Sequence, residues 1–224
     1  MGRVLRINAG NYIYHVLNRA NARLRIFDND KDYQLFEKIL EEARARYDMR
    51  LLAYCIMPNH WHFVVHPRKD GDLSRFMGWL TLTHTQRWHA IKKTTGQGHI
   101  YQGRYKSFLC QNDDYFLVLA RYVERNALKA NLVSKAESWK WGSAYRRKHG
   151  TFEQKKLLTS WPAQRPENYM IWLNQPQSKA EENAIEKSIQ RGNPYGDKNW
   201  AGDIIKKFNL EATVKPRGRP IKGS

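Results

Sequence analysis

The 224-residue chain carries 39 Lys and Arg against 21 Asp and Glu, a formal charge of +18, spread from Arg3 to Lys222. Such a field favours a polyanion, either nucleic acid or an anionic membrane surface. No apolar run approaches the ~18–20 residues that span a bilayer, the segment Met1 to Asn8 has no apolar signal core, and two cysteines are too few for a cysteine-pair zinc site. The expectation is a cytoplasmic protein, with no membrane, whose Cys55 and Cys110 are buried thiols. The length suits one sizeable core with a smaller appendage.

In chain order, Asn11 to Leu17 is aromatic and β-branched and predicts a first strand, and Asn18 to Arg25 is a basic turn. Asp28 or Asn29 caps a helix from about Lys31 to Tyr47, where Leu35, Phe36, Ile39, Leu40 and Ala43 recur at three-four spacing. Leu51 to His66 predicts a hairpin turning at Pro58-Asn59. Asp72 caps a helix from about Leu73 to Lys92. After the break at Thr94–Gly98 comes the basic stretch Tyr101–Lys106, then a strand at Ser107–Cys110. Asn112 or Asp113 caps a helix from about Asp114 to Asn131.

Strand, helix, strand, strand, helix, strand is the split βαβ order of ferredoxin-like α+β folds, an antiparallel sheet with helices on one face. Beyond Asn131 the character changes, with Trp139, Trp141 and Tyr145 in a basic segment, and a mainly helical basic extension is expected over 146–214, with helices near Glu181–Gln190 and Trp200–Phe208. A basic tail follows over 215–224, without apolar residues to bury. No internal repeat is found.

Two places carry chemistry. Alternation along a strand puts His60 and His62 on one face, ~6–7 Å apart at Cα, and Trp61 on the other. Two imidazoles so placed can converge on one divalent ion, whereas His66 lies too far along the strand to join them. On the third helix, Phe116, Leu119, Ala120, Val123 and Ala127 make the apolar stripe. Tyr122 and Asn126 sit four apart on its flank, and Arg121 and Arg125 are expected to face solvent or a phosphate backbone. Taken singly, these residues are equally consistent with strand and core-edge side chains.

His60-Trp61-His62 matches the His-hydrophobic-His motif of HUH endonucleases, and Met57-Pro-Asn-His-Trp-His62 resembles the single-tyrosine transposases of the IS200 type. Tyr122-Val-Glu-Arg-Asn-Ala-Leu-Lys-Ala130 is similar to that family's Tyr-Ile-x-x-Asn-Pro-Val-x-Ala helix, with Ala127 where Pro is usual. Tyr101-Gln-Gly-Arg-Tyr-Lys-Ser107 resembles the stretch before its last strand. Arg191-Gly-Asn-Pro-Tyr-Gly196, Trp200 and Arg217-Gly-Arg-Pro220 are similar to the tails of REP-associated tyrosine transposases.

The resemblance implies a transposase domain over 1–145 that cuts single-stranded DNA at hairpin or palindromic repeats. It implies Mg²⁺ or Mn²⁺ held by His60, His62 and Asn126. Tyr122 would be the nucleophile, giving a 5′-phosphotyrosine link and a free 3′-hydroxyl. Tyr115, with Leu119 and not Asn at the fourth position beyond it, is the less suitable tyrosine. Arg19, Arg23, Arg104, Lys106, Arg121 and Arg125 are expected DNA contacts, and Arg217 and Arg219 lie in an AT-hook-like core. A monomer or a homodimer fits. Two other readings stay open: a DNA-binding protein without catalysis, and a metal-dependent nuclease that activates water.

Overall fold

The computed structural model describes residues 6–215. Its central unit runs β1 (Ile13–Arg19), α1 (Asp30–Tyr47), β2 (Arg50–Met57), β3 (His60–His66), α2 (Asp72–Lys92), β4 (Lys106–Cys110) and α3 (Asp114–Glu124). The strands pair antiparallel in the order β2-β3-β1-β4. This is the α+β, ferredoxin-like arrangement that the element order implies. Asn29 caps α1 by accepting from the Lys31 and Asp32 amides, and Asp113 caps α3 through the Tyr115 amide.

Two local expectations are corrected. Asp72 does not cap α2: Gly71 stands at the cap with φ of 86°, and the Asp72 carboxylate accepts from the Lys69 amide and pairs with Arg75. The third helix also stops early, at Glu124, and resumes as α4 (Asn126–Lys129). The Asn126 side-chain amide donates to the Tyr122 and Val123 carbonyls at 2.9 and 3.3 Å, competing for acceptors that a continuous helix would use.

Strand alternation divides the interior. Tyr14, Val16, Tyr54, Ile56, Trp61, Phe63 and Val65 pack on one face against Phe36, Ile39 and Leu40 of α1 and Phe76, Met77 and Leu80 of α2. Each such side chain stabilises by ~1.5–3 kcal/mol when fully removed from water. The opposite face, with Ile13, Cys55, Val64 and Phe108, is covered by the α3 stripe Phe116, Leu119, Ala120, Val123 and Ala127. Thus α1 and α2 share one face while α3 occupies the other. Cys55 and Cys110 are free and buried, as expected.

The segment beyond α4 carries α5 (Ser143–His149), α6 (Phe152–Lys156), α7 (Tyr169–Asn174), α8 (Lys179–Arg191), α9 (Lys198–Lys207) and α10 (Glu211–Val214). It closes both sheet edges, whose bare backbone would otherwise invite pairing with another chain. Along β2, the Ile56 amide donates to the Trp141 carbonyl, the Tyr54 amide to Ser143 Oγ, and Trp161 Nε1 and Arg147 to the Leu52 carbonyl. Along β4, the Tyr195 amide donates to the Leu109 carbonyl and the Gln111 amide to the Tyr195 carbonyl. Buried carboxylates fasten the join: Glu124 accepts from Ser143 and Tyr169, and Glu37 accepts from Tyr54 and Arg146.

His84, fully buried on the α2 side, bonds the Tyr101 hydroxyl at 2.7 Å through Nδ1 while its Nε2 has no partner. Burial pushes its imidazolium down to about 3, so between that value and the ordinary ~6.5 the unfolded chain takes up a proton that the folded chain refuses. Stability is therefore complete above about pH 6.5 and falls on acidification, by ~1.4 kcal/mol per pH unit for one such histidine. Thermal unfolding across about pH 7 to 4 is expected to show this decline, shallower in His84→Phe; an unchanged slope in that variant would contradict the assignment.

Candidate active site

β1 and β3 pair with Arg19 opposite His60 and Leu17 opposite His62. This register puts His60, His62 and His15 on the face covered by α3. His62 Nδ1 lies 2.9 Å from His15 Nε2, and His60 Nδ1 lies 2.6 Å from the Asn59 side-chain oxygen. Each ring of the pair thus has its Nδ1 engaged, which leaves Nε2 as the nitrogen available to a ligand. Burial and then the nearby Arg19 charge hold His60 down to about 4, and burial with His60, His15 and Arg19 holds His62 well below the usual range. Both rings are neutral at physiological pH, the form that binds metals.

Tyr122 approaches from α3, its ring centroid 6.1 Å from that of His62. It is 8 % exposed. Burial pushes its phenol up to about 12, Glu186 and Glu182 of α8 add to the rise, and Arg19 opposes it. Lys129 stands over the same ring at 5.7 Å and is paired with Glu182 at 2.9 Å and Glu186 at 3.4 Å. Asn126, its amide nitrogen committed to helix carbonyls, keeps Oδ1 for a ligand. His60, His62, Tyr122 and Asn126 all line one cleft of about 570 Å³, with Arg19, Arg104 and Lys106 on its wall. The donor set of two neutral imidazoles and an amide oxygen could hold a divalent ion. Among the described residues no group of three or more His, Cys, Asp or Glu gathers for that purpose.

The family model described as "Transposase IS200 like" matches residues 8–126. The chain belongs to the IS200-like transposase family. It is an enzyme of that kind, and the matched span ends at Asn126, so the four cleft residues all lie inside it. Among solved structures, a REP-associated tyrosine transposase bound to a REP hairpin aligns with a TM-score of 0.56 at 15% identity, covering 68% of this chain and 88% of that one. A candidate transposase from Deinococcus radiodurans R1 aligns with a TM-score of 0.39 at 15% identity, over 59% and 91% of the two chains. The first shows a shared fold. No curated protein matches the chain.

The basic residues expected to contact DNA fall into four groups. Arg19, Arg104 and Lys106 border the cleft, whereas Arg23 is exposed and outside it, its carbonyl accepting from the Asn59 side chain. Arg121 does not face solvent or a phosphate backbone, and Arg125 is half-buried with its guanidinium turned to the protein, which corrects the helical-wheel expectation. Arg121 is 3 % exposed, lies 4.5 Å over the Trp172 ring and donates to the Gln175 and Pro176 carbonyls. Arg125 donates to the Leu173 carbonyl at 2.6 Å. These guanidiniums satisfy the carbonyl end of α7, where a helix has orphan acceptors and a negative dipole end. Arg217 and Arg219 lie outside the described residues, and no helix among those described is long and apolar enough to cross a membrane.

Sequence reasoning missed His15, Lys129 and the α8 wall made by Glu186, Ile189 and Gln190. A signal for His15 did exist. It alternates with Ile13 and Leu17, so pairing β1 beside β3 places it on the His60/His62 face.

Arg121→Ala is expected to destabilise the fold by ~1–3 kcal/mol, because the part-buried Gln175 and Pro176 carbonyls lose their donor and Trp172 its guanidinium contact, and to speed proteolysis between α5 and α8. The salt dependence of DNA binding should stay unchanged in that variant. Arg104→Ala with Lys106→Ala should instead leave unfolding unchanged and reduce the salt slope by roughly one to two. Chemical denaturation and binding titrations over a salt series separate the two outcomes.

Proposed function

We propose that this transposase is a metal-dependent single-stranded DNA endonuclease and strand transferase acting through Tyr122. The observation that carries this reading is the convergence of His60, His62, Tyr122 and Asn126 on one cleft within a single chain. The Asn126 amide oxygen and a substrate phosphate are the hard oxygen donors that suit Mg²⁺ or Mn²⁺, and the two imidazoles would complete the set. When bound, such an ion supplies Lewis-acid polarisation of the scissile phosphate.

The chain's own residues account for the rest. The Tyr122 oxygen attacks phosphorus, forming the tyrosine–phosphate bond as the bond to the 3′-oxygen breaks. The phenolic proton passes to solvent, and the leaving oxygen takes up a proton to become the 3′-hydroxyl. The phosphodiester energy is kept in the covalent link, so a second 3′-hydroxyl can reverse the step without ATP. Arg19 offsets negative charge at the phenol, opposing Glu186 and Glu182. Arg104 and Lys106 attract the DNA backbone irrespective of sequence.

Tyr122 and the two histidines need access to an exposed phosphate, which favours an unpaired strand at the cut. The hairpin-bound transposase of similar fold supports a hairpin or palindromic repeat as the DNA element. Tyr122 shares its chain with the histidines and both sheet edges are covered, which supports cleavage in cis by a monomer. The basic extension over 146–214 would then act as part of the DNA-binding surface, since α8 walls the cleft.

With Mn²⁺ and end-labelled single-stranded hairpins, a denaturing gel is expected to show an adduct that is lost in Tyr122→Phe and kept in Tyr115→Phe. Cleavage surviving Tyr122→Phe would point to a water-activating nuclease, and tight binding with no cleavage in any metal to a binding protein. Because the phenol sits near 12, the adduct rate should rise with pH across about 6.5 to 8.5, approaching tenfold per unit. A flat profile would show that proton loss from Tyr122 does not limit the step.

A further inference from the structure

His15 is a polar ring buried where a hydrocarbon would pack. It is 0 % exposed, lies tilted with its ring centroid 4.8 Å from that of Phe108, and is surrounded by the apolar layer between the sheet and α3. Its single polar contact is Nε2 to His62 Nδ1 at 2.9 Å, and its Nδ1 has no hydrogen-bond partner. Buried polar atoms without partners are uncommon in folded chains. A packing role alone would be better served by Phe, which would leave no orphan nitrogen. The contact with His62 is therefore the feature that a histidine provides here.

We propose that His15 is a positioning residue that sets the orientation and tautomer of His62, so that Nε2 of His62 faces the cleft as a lone pair when a divalent ion is taken up. The inference rests on the metal reading of the cleft. Its logic is one of proton bookkeeping between two neutral rings. A His62 whose Nε2 binds metal carries its proton on Nδ1, and that N–H must donate to His15 Nε2. His15 then carries its own proton on Nδ1. Without an ion the opposite arrangement is open, with His15 Nε2–H donating to His62 Nδ1 and the His62 proton on Nε2 toward the cleft. Passing between the two arrangements moves each ring's proton from Nε2 to Nδ1 and changes neither ring's charge.

His60 obtains the same service from Asn59, whose side-chain oxygen accepts from Nδ1 and fixes Nε2 as the free nitrogen. The two histidines thus have different supports, an amide oxygen that can only accept and a ring nitrogen that can accept or donate. The asymmetry makes His62 the adaptable member of the pair.

Mn²⁺ binding, read by loss of the free-ion paramagnetic resonance signal, tests this on the full chain without any chemistry. His15→Phe is expected to weaken Mn²⁺ binding about 10- to 100-fold, the range seen when a partner behind a metal ligand is removed. His15→Gln, which retains an acceptor, should recover much of that affinity. His62→Ala serves as the reference: if it too binds Mn²⁺ like the parent chain, the metal reading of the cleft fails. If His62→Ala loses binding while folded His15→Phe keeps it, the positioning role alone is overturned. Should His15→Phe not fold, nitrogen-15 spectra of the unmodified protein decide. With saturating Mg²⁺, His15 is expected to carry its proton on Nδ1, and a His15 still protonated at Nε2 under saturating Mg²⁺ would overturn the proposal.

Discussion

The register between β1 and β3 is the constraint on which the site depends, because side chains alternate across a strand with a period of two. With Leu17 opposite His62 and Arg19 opposite His60, the histidines face α3, and Trp61 faces α1 and α2. A slip by one residue would bury both imidazoles in an apolar core and turn an indole into the cleft. Trp61 resists that slip. It is fully buried, and its Nε1 donates to the Tyr101 hydroxyl, which also bonds His84. The residue between the two histidines therefore anchors, from the far face, the face on which they act, and through Tyr101 it holds the start of the segment that leads to Arg104 and Lys106.

A second balance concerns charge around Tyr122. The phenol is largely buried and two carboxylates of α8 stand near it, both of which favour the protonated form. Arg19 acts in the other direction, and Lys129 engages Glu182 and Glu186 directly. On the proposed mechanism, a Tyr122 kept protonated until substrate arrives avoids futile chemistry. The extension enters this balance through α8, and it enters the fold through the β2 and β4 edges. Arg121 on α3 and Arg125 at its C-cap, close to Tyr122, are the bolts of that attachment.

Much of this was legible from residues alone. The His-x-His parity, the α3 stripe and the Tyr122–Asn126 adjacency depend only on local periodicity, and the structure keeps all three. What failed needed partners that no local pattern reveals. Arg121 and Arg125 lie off the apolar stripe, so a helical wheel sends them to solvent; only the docking of α7 turns them into donors to its carbonyl end, Arg121 buried and Arg125 half-buried. The break after Glu124 comes from a side chain, Asn126, taking backbone acceptors. His15 was visible as a strand residue, but its role needed the β1–β3 pairing. In the extension, α5, α6 and α7 span 7, 5 and 6 residues, too short for a period to show, and helices of that size persist only when docked.

The central claim is that one chain brings a tyrosine nucleophile and two neutral histidines to the same phosphate. Tandem mass spectrometry of the nuclease-trimmed, trypsin-digested adduct tests it most directly. The account predicts a nucleotide attached through its 5′-phosphate to the peptide Tyr122-Val-Glu-Arg125, on the phenolic oxygen. Nucleotide mass on Tyr115 or on any other residue, or cut strands bearing free 5′-phosphates and no modified peptide, would contradict it.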